Sequence, residues 1–179
     1  IAERTMRDYL QERYSAYNPT YNEVWYSSMV GSYTCRVSST TDPDVSFTVT
    51  QYSDGRIVDD FMSQVAAGQN KLYRLQKELN LRLLTILKDK FGTSVYSVFT
   101  SPDGNSGQMM LNKAAGGMNS LSTEDAPNLF INISLELSPM TPETAAAKIT
   151  ECYNILKAKG YVFGEYGLDV NEKNTSHRG

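Results

Sequence analysis

Leucine sets the clearest rhythm in the chain. Leu72, Leu75, Leu79, Leu83 and Ile86 recur at steps of three and four, which places them on one face of a helix. Lys71, Arg74, Lys77, Glu78 and Arg82 fall mostly on the other side, where water solvates them. The pattern predicts one amphipathic helix from Phe61 to Phe91. Gly92 follows its last turn, and Lys88 and Lys90 complement the negative end of the helix dipole.

The remaining elements follow from the same reading. Met6, Leu10 and Tyr14 are four apart, so Ile1 to about Tyr14 reads as a helix ended by Asn18-Pro19. Glu23 to Met29 and Ser32 to Ser39 read as strands, with Gly31 as a turn or bulge between them. In Val45 to Tyr52, Val45, Phe47 and Val49 alternate with Ser46, Thr48 and Thr50, the pattern of a half-buried strand. Ser53-Asp54-Gly55 is a turn, and Ile57 and Val58 lead into the long helix, with Asp59 and Asp60 capping its start. Ser94 to Thr100 is a strand. Residues 101–127 are the least regular stretch, with a short buried helical turn at Met109, Met110 and Leu111. Asn128 to Ser138 alternates as a strand. Thr141-Pro142-Glu143-Thr144 opens a helix that runs to Lys159 and stops at Gly160. Tyr161 to Val170 is the last strand, and Asn171 to Gly179 is a polar, frayed tail.

This order predicts an α+β fold in a single domain, 1–179. Residues 1–44 supply an N-terminal helix and strands, and residues 45–170 form two β-α-β halves. Such halves build an antiparallel, ferredoxin-like (split βαβ) sheet with helices on one face. The alternative is a cystatin-like sheet curled around the one long helix.

Composition narrows the classes of function. The chain has 179 residues, 40% of them hydrophobic and 21% charged, which suits a folded domain rather than a disordered one. A formal net charge of −3 argues against nucleic acid as the main partner. No run of eighteen apolar residues exists to span a membrane. Beginning at Ile1, the chain reads as a fragment or a processed form. Twelve tyrosines, with many serines, threonines and asparagines, fit an extracytoplasmic protein.

Candidate chemistry is sparse. The sole histidine, His177, lies in the tail, which argues against a Ser-His-Asp or Cys-His nucleophile. Cys35 and Cys152 both align with apolar neighbours and read as buried free thiols, with a disulfide as the alternative. Trp25, the only tryptophan, reads as a core residue. Asp42 with Asp44, and Asp103 with Asn105, supply oxygen ligands without the calcium-loop spacing. Asp54 with Asp59 and Asp60, and Glu124 with Asp125, are the paired carboxylates available for acid/base work, and turn and cap roles explain them better. Gly104, Gly107, Gly116 and Gly117 lack the Gly-Lys-Ser/Thr of a phosphate loop. Met109, Met110 and Met118 beside them suggest an adaptable binding surface. No catalytic, cofactor or metal site is expected.

Tyr9-Leu10-Gln11-Glu12-Arg13-Tyr14, followed by strands and then Asp54-Gly55-Arg56-Ile57-Val58-Asp59-Asp60, resembles small uncharacterised exported lipoproteins of Gram-positive bacteria. The resemblance covers roughly the first third of the chain. It implies a location, with a lipid-bearing cysteine upstream of Ile1, and carries over no site residues. The expected function is therefore a non-enzymatic exported domain, membrane-anchored through an upstream segment, that binds a protein or cell-envelope partner. The alternatives are an intracellular regulatory or small-molecule-binding ferredoxin-like domain, and an enzyme using Asp59, Asp60, Glu124 or Asp125.

Overall fold

A computed structural model describes residues 2–138 and 141–172. The protein is α+β, and its chain divides into two compact units. The first comprises residues 1–74 and 111–117, the second residues 75–110 and 118–179. The division falls inside the long helix, after Arg74.

The first unit opens with α1 (Ala2–Tyr14) and continues through β1 (Pro19–Tyr21), β2 (Trp25–Ser27), β3 (Ser32–Ser39), β4 (Ser46–Tyr52) and β5 (Ile57–Asp59). These strands form one antiparallel sheet, β1-β3-β4-β5, with β2 also paired to β3. Register fixes the faces. Cys35 sits opposite Val49 and Val37 opposite Phe47, so one face is apolar. Met6 and Leu10 of α1 cover that face, and all six side chains are at most 2% exposed. Each such buried aliphatic or aromatic group contributes about 1.5–3 kcal/mol.

The second unit holds the three-stranded sheet β6-β7-β8, built from β6 (Val95–Pro102), β7 (Leu129–Leu137) and β8 (Glu165–Glu172). β6 runs antiparallel to β7, and β8 runs parallel to it. The parallel pair needs a crossover, which α4 (Pro142–Ala158) supplies. Thr141 caps α4 as expected: its Oγ1 accepts from Thr144 N–H at 3.2 Å, and the Thr144 hydroxyl accepts from Thr141 N–H at 2.9 Å. Leu129, Ile131, Ile133 and Leu135 of β7 line the buried face of this sheet. On that face the Thr100 hydroxyl donates to Asn80 Oδ1 at 2.7 Å, which ties β6 to α2 (Gln69–Phe91). Tyr166, opposite Ile131 on the same face, meets Tyr153 of α4 edge-on at 5.4 Å. Both helices therefore cover one side of this sheet, and Phe99, Asn132 and Asp169 stand on its open side.

Several expectations change. The strands divide between two sheets, so neither the single ferredoxin-like sheet nor a cystatin-like sheet around the long helix forms. The reason lies before the helix. Ile57–Asp59 is a fifth antiparallel strand of this sheet and pairs with β4, so β4 has β3 and β5 as its neighbours. The expected helix from Phe61 is also interrupted. A wide turn spans Met62–Ala66, Gly68 takes a φ of +79°, and α2 begins at Gln69. Within the irregular stretch, Gly107–Ala115 is a full helix, α3. The expected strand from Tyr161 begins only at Glu165. Asn171 and Glu172, expected in the frayed tail, are the last residues of β8 and pair with Glu136 and Leu137, while residues 173–179, with His177, lie outside the described residues.

Candidate functional site

The two segments that carried the family resemblance meet in the first unit. Tyr9 and Tyr14 both donate their hydroxyls to Asp59 Oδ2, Tyr14 at 2.8 Å. Asp59 Oδ1 accepts from Phe61 N–H at 3.1 Å, and Arg13 donates to the Tyr9 oxygen at 3.1 Å. Burial pushes both phenols above the ordinary value of 10.0, and their bonds to Asp59 push further. A neighbouring carboxylate disfavours a phenolate, so these tyrosines stay protonated donors. The Tyr14 ring also packs on Phe47 and Phe61, with centroids 4.8 and 4.7 Å away. This cluster is a clasp that pins the end of β5 to α1.

The other carboxylates are likewise engaged. Asp60 Oδ1 accepts from Thr48 N–H at 2.5 Å. Asp54 accepts from Arg56 N–H at 3.0 Å in the β4–β5 turn. Asp44 forms a two-pronged pair with Arg74 at 2.7 and 2.9 Å, and Asp42 accepts from Asp44 N–H. In the second unit, Asp103 accepts from the N–H groups of Asn105 and Ser106, and hydrogen bonds from Ser106 and Asn105 hold its carboxyl below the ordinary range. Asp125 accepts from Ser122 N–H and Oγ, while Glu124 is exposed. No group of three metal-ligating side chains occurs among the described residues. Met110 is buried, so the expected methionine surface loses its middle member. Cys35 and Cys152 are both buried free thiols. Burial raises both, Cys152 to about 11.

The site that sequence reasoning missed is on the outer face of the first sheet. Trp25 is 49% exposed, not a core residue. It stands in a cross-strand row with Thr34, Thr50 and Val58. The Thr34 and Thr50 hydroxyls are 3.3 Å apart. The neighbouring rows hold Arg36 beside Thr48, and Ser38 beside Ser46. Trp25 walls a cavity of about 310 Å³ whose polar lining includes Arg36, Asp60, Gln64 and Asn70.

These groups differ in what they have left to offer. Asn70 Nδ2 already donates to the Ser46 and Asp44 carbonyls, and Arg36 Nε donates to Ser46 Oγ at 3.2 Å. Among the described residues, the terminal guanidinium nitrogens of Arg36, the Gln64 amide and the Trp25 indole N–H have no protein partner. The alternation that put Val37 and Phe47 inside would have placed Arg36 and Thr48 outside. The face of Trp25 depended on its register with β3, which periodicity does not contain.

A wider cleft of about 570 Å³ opens where the first turn of α1 meets Tyr33 and Gln51, whose Oε1 is buried without a partner among the described residues. The β2–β3 turn beyond it exposes Met29 at 97% and Val30 at 63%, flanked by the Tyr26–Tyr33 ring pair at 4.9 Å.

No family model, curated protein or solved structure matches the chain.

Proposed function

We propose that this chain is a non-catalytic binding domain that works outside the cytoplasm, tethered to the membrane by a segment upstream of Ile1. It engages a cell-envelope or protein partner through the outer face of its first sheet. The observation that carries this reading is the half-exposed Trp25 among hydroxyl-bearing neighbours. A tryptophan offers a large, rigid contact area at small conformational cost, and such residues dominate recognition surfaces when left in water. The commitment of Asp59, Asp60 and Asp125 to hydroxyl or backbone partners also favours binding over acid/base chemistry. The resemblance of Tyr9–Tyr14 and Asp54–Asp60 to exported lipoproteins is what favours a location outside the cytoplasm.

The test is to express the native precursor with its own upstream sequence and fractionate the cells. Recovery of the mature chain in the membrane fraction, released by a protease added outside, is the expected result. Recovery in the cytosol overturns the location and shifts the weight to an intracellular ligand-binding domain.

A further inference from the structure

We propose that the Trp25 cavity binds a sugar ring. This rests on the reading of the outer face as a binding surface and names the ligand class it takes. A pyranose has two chemically distinct aspects. Its axial C–H bonds make one face weakly apolar, and its rim carries paired hydroxyls that both donate and accept. A site for it therefore needs a flat aromatic surface and, at its edge, a mixture of planar donors and acceptors.

The cavity has that inventory. The Trp25 indole is the flat wall. Arg36 presents two unpaired terminal nitrogens in a fixed fork, a geometry that meets two adjacent hydroxyl oxygens together. Asp60 has one oxygen committed to Thr48 N–H and a second oxygen able to accept. Gln64 adds one acceptor and two donors, and its amide has no protein partner among the described residues. The lining offers both donors and acceptors, as hydroxyls require and as an anion or an apolar ligand does not. One guanidinium and one carboxylate nearly cancel, which favours a neutral ring over a phosphate or a sugar acid. The volume of about 310 Å³ lies at the small end of ligand pockets. It suits one ring of a longer glycan, with the rest of the chain running over the hydroxyl rows of the sheet.

Small, polar, solvent-open sites bind weakly. One ring of about twelve non-hydrogen atoms at ordinary ligand efficiency gives a Kd on the order of 1 mM. Trp25 is the only tryptophan, so its emission reads occupancy directly.

The experiment titrates the purified chain with three probes: trimers of N-acetylglucosamine, mannose and glucose. Trp25 fluorescence and amide NMR shifts are followed together. The expected result is a saturable emission change with at least one trimer, with shifts centred on Trp25, Arg36 and Gln64. Trp25→Ala and Gln64→Ala, judged by the amide shifts, should each weaken binding about tenfold or more while retaining the dispersed native spectrum. No saturable response to any trimer at about 20 mM, well above the expected Kd, overturns the proposal. So does a response centred elsewhere or left intact in both variants. Localisation is read separately. Envelope recovery without sugar binding overturns this inference alone, whereas sugar binding by a cytosolic protein overturns only the location.

Discussion

Gly68→Ala should destabilise the first unit by about 2–4 kcal/mol. Gly68 holds a φ of +79°, and a Cβ there would lie 2.6 Å from the Ala115 nitrogen and 2.9 Å from the Leu111 carbonyl oxygen. The left-handed backbone costs a side-chain-bearing residue about 1–2 kcal/mol. Both obstructing atoms belong to the backbone of α3, so relief means shifting a helix turn, a strain of about 1–3 kcal/mol. Lost freedom in the unfolded chain offsets about 0.4–1 kcal/mol. Gly55→Ala is the control: its φ is +85°, yet its Cβ would meet nothing within 4 Å. It should cost about 1 kcal/mol or less, since only the backbone terms remain. Urea unfolding followed by Trp25 emission reports on the first unit. With m of about 2 kcal/mol/M, the Gly68 variant should lose about 1 M or more in midpoint. Coincident midpoints for the two variants would refute the close approach of α3 to Gly68.

Other expectations follow from the clasp and the thiols. Tyr14 is held above its ordinary value of 10.0, so the folded state keeps a proton that the unfolded chain gives up. Its stabilising contribution is whole below pH 10 and falls as pH rises beyond it, with a slope of up to about 1.4 kcal/mol per pH unit. Tyr14→Phe should flatten the alkaline loss of stability measured by urea midpoints above pH 10, and an unchanged slope would count against the Asp59 clasp. Cys35 and Cys152 are buried, with their thiols pushed up. A thiol reagent at pH 8 should leave both unmodified in the native chain and titrate two after unfolding; rapid native labelling would contradict their burial.

Much of the fold was legible because local and tertiary demands agreed. The α1 stripe of Met6 and Leu10, the α4 cap at Thr141 and the alternation in β4 and β7 each needed only neighbours within a turn or a pleat. What stayed hidden required partners far along the chain. Ile57–Asp59 is too short to announce itself as a strand and is defined by its pairing with Val49–Gln51. Gly68 sits inside a helical apolar pattern, and the nearby turn of α3 makes it a break rather than a tolerated glycine. The open Trp25 face followed the same logic. Alternation separates two faces, but which one α1 covers is decided by the core that Met6 and Leu10 complete.

The first unit is drawn from two separated stretches of chain, residues 1–74 and 111–117. A chain leaving the ribosome therefore cannot finish that unit when its sheet is complete. The Gly68 surface waits for Leu111 to Ala115, an interval of several seconds at about 5–20 residues per second. The second unit is interleaved in the same way and closes only after residue 118 and beyond arrive. Neither unit can be excised as one continuous cassette, and a cut in residues 75–110 severs the connection between the two stretches of the first. Neither core is therefore complete on one unbroken stretch of chain, and each needs residues on both sides of a stretch of the other to close.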